Sequence, residues 1–162
     1  MAGRSLEFLK PMFERMRQLA EAAYPYEGCG VLVGRRGPEA AVVTEVVEGR
    51  NLVTERRRDR YELDPRDIIT AERSARNRGE EVLGFFHTHP DHPARPSQFD
   101  TEHAWPKYHY VVIAVDDGRM AGATAWELTG PEGDQRFEER PLATGEGAAP
   151  GYNPPGVVVE IQ

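Results

Sequence analysis

The segment EVLGFFHTHPDHPARPSQFD, residues 81–100, constrains the fold more than any other part of this 162-residue chain. An apolar run predicts a buried strand that ends in His87-Thr88-His89. Prolines follow at positions 90, 93 and 96, and because proline has no backbone N–H, regular strand pairing cannot continue through them. Ser97 then predicts the start of a short helix over SQFDTEHAW. The chain must therefore leave a strand, turn and begin a helix within a few residues.

The polar residues of this segment have the composition of a metal site. Side chains at positions i and i+2 of a strand point to the same face, so His87 and His89 can reach one cation, with backbones roughly 6–7 Å apart. Asp100 lies in the first turn of the predicted helix. Two histidines and one carboxylate, with a fourth position left for water, are typical of catalytic rather than structural zinc sites. For an isolated His-x-His the alternative is a polar strand end.

The first part of the chain predicts a helix followed by two strands. An apolar stripe at Leu6, Leu9, Phe13, Met16 and Leu19 has helical spacing, and Pro25 ends this helix near Tyr24. The runs CGVLVGRR, residues 29–36, and AAVVTEVVEG, residues 40–49, predict strands that pair through the turn at Gly37-Pro38.

The rest of the chain continues the alternation of helices and strands. RYELDP, residues 60–65, is extended, and Asp64 with Pro65 predicts the start of a helix that turns Ile68, Ile69 and Ala75 inward and ends before Gly79. YHYVVIAVDD and MAGATAWEL predict two strands joined at Gly118. The interleaved elements predict the α/β class, with one mixed β-sheet flanked by helices.

The sequence predicts one domain over residues 1–142 and a flexible tail over residues 143–162. The tail is rich in glycine, proline and alanine, although VVVEI near its end could add an edge strand. The net charge of −7 argues against a nucleic-acid partner. One cysteine, no apolar run of membrane-spanning length and no secretory leader predict a cytoplasmic protein without membrane contact.

The motifs resemble one known family. HTHPDHPARPSQFD is similar to the JAMM (MPN+) metalloprotease signature, in which His-x-His-Pro is followed by Ser-x-x-Asp, with the aspartate eleven residues after the second histidine. YPYEGCGVLVG resembles the upstream part of that signature, and GRNL, RYELDP and VLGFFHTHP resemble its connecting segments. The resemblance extends from Leu6 to Leu142 and implies a cytidine-deaminase-like fold.

The resemblance also implies roles for five residues. His87, His89 and Asp100 match the zinc ligands of the family, and Glu27 matches the glutamate that acts as general base and then as general acid. Ser97 matches the serine that supports the tetrahedral oxyanion. From spacing alone, Glu27 would be an ordinary glutamate at a helix end, and Ser97 an ordinary helix N-cap whose capping bond competes with the oxyanion role.

Other reactive side chains have simpler interpretations. Cys29 begins a buried apolar run and is expected in the core rather than as a nucleophile. His92 is expected in the loop at the mouth of the cleft, His103 at the surface or behind the site, and no role is assigned to His109. Phe85 is expected on the same face of its strand as the two histidines.

The family implies a zinc-dependent peptidase or isopeptidase of the small prokaryotic type. Its expected partner is a ubiquitin-like or sulfur-carrier protein, cleaved after a C-terminal Gly-Gly tail. Two alternatives remain: a zinc peptidase acting on cell-wall or other peptides, and a non-catalytic MPN scaffold. The scaffold is disfavoured because scaffolds typically lose the ligands, whereas all five motif positions are intact here.

Overall fold

The structure, a computed structural model, describes residues 4–145 of the chain. The elements in chain order are β1 Ser5–Leu9, α1 Lys10–Ala23, β2 Cys29–Arg36, β3 Ala40–Gly49, α2 Pro65–Asn77, β4 Glu81–Pro90, α3 Gln98–Glu102, β5 His109–Asp116, β6 Arg119–Thr129, β7 Arg136–Arg140 and β8 Leu142–Gly145. The strands form one sheet in the order β7-β6-β5-β4-β2-β3-β1-β8.

The sheet is mixed, as predicted. β4 and β5 pair in parallel, because α3 and its flanking turns form the crossover between them. β1 is parallel to both of its neighbours, β3 and β8. The remaining neighbours pair antiparallel, including β2 with β4. The predicted α/β class is confirmed.

The two longer helices pack on opposite faces of the sheet. α1 contributes Phe13 and Met16 to a core that includes Leu32 and Phe86. α2 contributes Ala71 and Ala75 to a smaller cluster formed with Val31, Val33 and Val82 and flanked by Phe85. Neighbouring residues of β2 and β4 therefore face different helices, as the two-residue period of a strand requires.

The predicted N-terminal helix was wrong in its first turn. Leu6 lies on β1, fully buried, and Leu9 precedes the helix, which begins at Lys10 with Pro11 in its first turn. Leu6 and Phe8 alternate with Glu7, which is strand periodicity, and β1 is held between β3 and β8. The predicted end near Tyr24 is confirmed, since Tyr24 caps the helix.

The capped helix predicted after RYELDP is confirmed as α2. Asp64 accepts a hydrogen bond from the backbone N–H of Arg66, and Pro65 occupies the first helical position. The prediction that Ile69 turns inward was wrong, because Ile69 is 47% exposed. The buried stripe of α2 runs through Ala71 and Ala75, and Ile69 faces away from that stripe.

The end of the described chain holds two strands that the sequence did not predict, β7 and β8. β8 includes Ala143, so the sheet continues to Gly145, past the expected domain boundary at Leu142. The predicted edge strand VVVEI lies outside the described residues. Between residues 4 and 145, no helix has the length and apolar character to cross a membrane.

Candidate metal centre and active site

The site forms where β4 ends beside the start of β2. Cys29 is the antiparallel partner of His87, and the Thr88 backbone N–H donates to the Gly28 carbonyl at 3.0 Å. Two positions beyond the Cys29–His87 pair, the same register brings Glu27 opposite His89. Because alternate residues share a face, the strand ladder itself places Glu27 beside both histidines.

Three side-chain atoms converge on one point at the end of β4. His87 Nε2 lies 3.2 Å from His89 Nε2, and Asp100 Oδ2 lies 3.1 Å and 3.3 Å from these two nitrogens. We call His87, His89 and Asp100 the ligand triad. Glu27 joins this cluster, since ligating atoms of Glu27, His87 and His89 lie within 4.8 Å of one another. The structure therefore brings together all five residues proposed from the sequence, since Ser97 bonds Asp100 directly. Glu27, His87, His89 and Asp100 supply atoms that could hold a metal ion.

Asp100 and His89 are oriented by neighbouring backbone groups. Asp100 Oδ2 accepts the Ser97 backbone N–H at 2.8 Å. His89 Nδ1 lies 2.9 Å from the Pro93 carbonyl, which can only accept, so Nδ1 carries the hydrogen and, in the neutral ring, Nε2 presents a lone pair to the cluster. This contact orients the ring for ligation, as outer partners of metal-bound histidines commonly do.

Burial acts on every titratable group of the ligand triad. Burial would raise the pKa of Asp100, but the two histidines hold it well below its usual range. Burial lowers the pKa of His87 despite its contact with Asp100. For His89 burial acts in the same direction, but the bonds to Asp100 and Pro93 outweigh it and raise the pKa.

Glu27 has a buried side chain, and two hydrogen bonds hold its backbone in place. Its N–H donates to the Arg57 carbonyl at 2.6 Å, and its own carbonyl accepts from Asn51 Nδ2 at 3.1 Å. Burial raises the pKa of Glu27 to about 7, with the negative charge of Asp100 acting in the same direction and His89 opposing it. A carboxyl group with this pKa can both accept and donate a proton near neutral pH.

Ser97 forms the N-cap of α3, as its spacing indicated. Its Oγ accepts the Asp100 backbone N–H at 3.0 Å, and the Asp100 carboxylate accepts the Ser97 N–H, which completes a capping box. A hydroxyl group has two acceptor lone pairs and one donor hydrogen, and the cap uses one lone pair. The O–H hydrogen therefore stays available, and capping does not compete with donation to an oxyanion.

Two supporting residues were missed by the sequence reasoning. The ring of Tyr61 stacks on His87 with centroids 4.6 Å apart, and burial raises the pKa of Tyr61 well above its usual value. Asn51 ties Glu27 to the loop before α2 by also donating to the Arg60 carbonyl. The one available signal was that GRNL and RYELDP, which contain these residues, resembled family segments.

Two cavities meet at Asp100 and differ in character. The first, the apolar groove, has a volume of about 860 Å³ and is lined by rings and aliphatic side chains including Tyr61, Ile69, Phe85, Phe99 and Trp105. The second, the charged pocket, has a volume of about 300 Å³ and is lined by Glu27, His89 and Ser97 together with arginines 58, 60 and 95. Asp100 lines both cavities, and His89 lines the charged pocket. Phe85 lies on the same face of β4 as the two histidines, as expected.

The remaining reactive side chains lie where the sequence indicated. Cys29 is buried, and burial raises the pKa of its thiol to about 12, so it is a core residue. His92 lines the charged pocket at its mouth. His103 is exposed and stacks on Phe99. His109 is buried at the other end of the sheet, where its Nε2 lies 3.7 Å from one glutamate oxygen, without further converging ligands among residues 4–145.

The family profile described as prokaryotic homologs of the JAB domain matches residues 9–129. The chain belongs to this family. The match includes all five motif residues and confirms the JAMM resemblance seen in the sequence.

Two JAB relatives have names that describe an activity. Desampylase of Haloferax volcanii is 38% identical over 117 residues, which cover 72% of this chain and 79% of that protein. A probable TtuB-protein conjugate cleaving protease of Thermus thermophilus is 31% identical over 121 residues, covering 75% of this chain and 72% of that protein.

Solved structures of similar proteins share the JAB fold seen here. A solution structure of a protein from Desulfitobacterium hafniense superposes with a TM-score of 0.70 at 30% identity, covering 86% of this chain and 93% of that one. A solution structure from Salinibacter ruber gives a TM-score of 0.62 at 34% identity, covering 83% and 89%.

Proposed function

We propose that this protein is a zinc metallopeptidase of the isopeptidase type. It hydrolyses the amide bond that follows the C-terminal Gly-Gly tail of a ubiquitin-like or sulfur-carrier protein. The observation that carries the proposal is the convergence of His87 Nε2, His89 Nε2 and Asp100 Oδ2 beside Glu27. The names of the desampylase and TtuB-conjugate protease relatives support this substrate class.

The ligand triad fits zinc in both chemistry and spacing. Zinc bonds to imidazole nitrogen and carboxylate oxygen at about 2.0–2.2 Å, so the ligand atoms of a tetrahedral site are about 3.3 Å apart. The three separations here are 3.1, 3.2 and 3.3 Å. Two imidazoles and an ionised carboxylate facing one point favour a cation there, because lone pairs at this separation repel one another. We therefore assign His87, His89 and Asp100 as the zinc ligands.

Glu27 is assigned as the general base and then the general acid. Zinc, when bound, supplies Lewis acidity and makes water nucleophilic near neutral pH. Glu27 takes one proton from the attacking water as its oxygen adds to the substrate carbonyl. The same carboxyl group then gives the proton to the nitrogen of the scissile bond, and the amine leaves as this bond breaks. A pKa near 7 suits both transfers.

Ser97 is assigned as the donor to the oxyanion that develops on the substrate carbonyl. Its hydroxyl lines the charged pocket beside Glu27 and His89. The capping bond fixes the position of Oγ, and the free O–H hydrogen can then donate without reorganisation. Helix capping thus supports the catalytic role.

The apolar groove is assigned to the tail that precedes the scissile bond. Such grooves bind extended chains through main-chain hydrogen bonds and side-chain pockets. The groove extends to Asp100, and a residue without a Cβ can approach the ligand triad most closely there. This geometry supports Gly-Gly as the end of the tail.

Metal analysis tests the ligand assignment. The purified protein is expected to hold about one zinc per chain, and His87→Ala and Asp100→Ala are expected to lose it, because two remaining ligands make a poor zinc site. His103→Ala, which removes an exposed histidine outside the triad, is the matched control and should retain the metal. Full zinc occupancy in both ligand variants would overturn the assignment.

A series of carrier fusions tests the substrate. Carriers that end in Gly-Gly, Ala-Gly or Gly-Ala before the same scissile bond should be cleaved with a strong preference for Gly-Gly, since an added Cβ blocks the narrow approach. Rates on the three fusions are measured with one zinc-loaded preparation. Comparable cleavage of all three would favour the alternative of a general peptidase acting on other peptides.

A further inference from the structure

The charged pocket contains one arginine whose charge is not used by the protein. Of its other cations, Arg58 lies 3.3 Å from Asp91 Oδ2, and Arg60 lies over the ring of Phe99 at 4.5 Å. The Arg95 guanidinium has no hydrogen bond, ion pair or ring contact within residues 4–145. A ligand that enters this pocket therefore meets Arg95 without an internal competitor.

The acidic residues of the pocket are already engaged. Asp59 lines the pocket and pairs at 2.7 Å with Arg56, which does not line it. Glu27 and Asp100 belong to the metal cluster. Asp100 contacts His87 and His89, and Glu27 lies beside them. Arg95, by contrast, has no carboxylate partner among residues 4–145, so an acidic group of a substrate can pair with it.

The backbone of Arg95 is fixed relative to the ligand triad. Its N–H donates to the Pro93 carbonyl at 2.8 Å, and the same carbonyl lies 2.9 Å from His89 Nδ1. Two residues later, Ser97 caps α3 and bonds Asp100. The short segment that carries Arg95 is therefore held at both ends by residues that contact the zinc ligands.

We propose that Arg95 is a specificity-determining residue that binds a carboxylate on the leaving side of the scissile bond. The inference rests on the proposed function, which places the tail in the apolar groove and the scissile bond at the junction near Asp100. The leaving amine then enters the charged pocket. Its volume of about 300 Å³ matches a group the size of one or two amino acids.

The guanidinium group suits this ligand. Its planar fork pairs with a carboxylate through two parallel N–H···O bonds, which gives both energy and orientation. The carboxylate must lie beside the scissile nitrogen, as a free α-carboxylate or as the side chain of an acidic first residue. The amine of an internal lysine side chain has no such group on its neighbouring carbon, so Arg95 does not select it.

Three substrates with one Gly-Gly carrier test the proposal. The residue after the tail is serine with a free carboxylate, serine α-amide, or aspartate α-amide. kcat/KM is measured for the wild type, Arg95→Gln and Arg136→Gln, in which an exposed arginine on β7 serves as the matched control. The wild type and the control should cleave at least one of the two carboxylate substrates about tenfold faster than serine α-amide. Arg95→Gln should abolish this preference, so that it cleaves the three substrates at similar rates.

The outcomes distinguish a failure of the Arg95 proposal from a failure of the proposed function. Preference for the free α-carboxylate alone, or for aspartate α-amide as well, identifies the source of the carboxylate and supports the proposal. Equal cleavage of all three by the wild type overturns the role of Arg95 and leaves the proposed function intact. An equal preference in Arg95→Gln and the wild type also overturns it. Absence of cleavage of these three substrates, and also of a Gly-Gly carrier joined to a lysine side chain, by the zinc-loaded wild type contradicts the proposed function itself. Cleavage of the lysine conjugate alone overturns the role of Arg95.

Discussion

The apolar groove and the charged pocket meet at the same aspartate but are built in different ways. The groove takes its side chains from α2 and the loop before it, from β4 and β5, and from α3 and the turn after it, and its lining is mainly rings and aliphatic groups. The pocket takes its side chains from Glu27 before β2, from the loop residues 58–60, from the end of β4 and the turn after it (residues 89–97), and from Asp100 on α3. Most of these residues are charged. Under the proposed function, the tail side of the scissile bond is selected by shape and apolar contact, and the leaving side by charge.

The largest effect is expected for Glu27, which lies beside the ligand triad. Its substitution should abolish activity on every carrier substrate. In Glu27→Gln the amide cannot take a proton from the attacking water, so kcat should fall by about 10³-fold or more on every carrier substrate. Zinc content and melting temperature should stay close to those of the wild type, because Glu27 is assigned to proton transfer rather than to ligation.

The control for Glu27→Gln is Glu132→Gln, which removes an exposed carboxylate in the turn between β6 and β7. This variant should retain full activity. If Glu27→Gln kept more than about a tenth of the wild-type kcat, Glu27 would not be the general base.

A change in the charged pocket should reduce the rate by less. Ser97→Ala removes both the cap and the O–H donor, so kcat should fall by about 10²-fold and stability by about 1 kcal/mol. Ser97→Thr keeps both functions and should stay near the wild type. Ser97→Asp keeps the cap without the donor and should restore the melting temperature but not the rate.

Rate and melting temperature are measured on the same preparations for the three serine variants. If Ser97→Ala lost only stability, the hydroxyl would act as a helix cap alone. If Ser97→Asp recovered the rate together with the stability, the position of α3 rather than the O–H donor would control catalysis.

The sequence predicted the site best where local pattern determines geometry. The two-residue period of β4 places Phe85, His87 and His89 on one face, and the Ser97 cap brings Asp100 back to them. The role of Glu27 could be predicted only from the family resemblance. Glu27 is sixty positions from His87 in the chain, and the pairing of Cys29 with His87 brings the two residues together.

The unpredicted features depend on contacts that are distant in the chain. Tyr61 stacks on His87, which is 26 positions later in the chain, and no periodic pattern in the sequence predicts this contact. The strand character of Leu6 comes from parallel neighbours at residues 40–43 and 142–145. β7 has the sequence RFEER, which contains no apolar run that would predict a strand. Charged residues are common on edge strands, because they discourage pairing with other chains.

A change in the apolar groove should have the smallest effect, and it should act on binding. Trp105 is 67% exposed and lines the groove, so Trp105→Ala is expected to raise KM for a Gly-Gly carrier about tenfold with little change in kcat. Leu52→Ala is the matched control, because Leu52 is also exposed, at 43%, but does not line the groove. The Arg95 preference for a carboxylate should persist in Trp105→Ala, since that side chain lies in the other cavity. A fall in kcat with unchanged KM, or loss of the carboxylate preference, would show that the two cavities do not act separately.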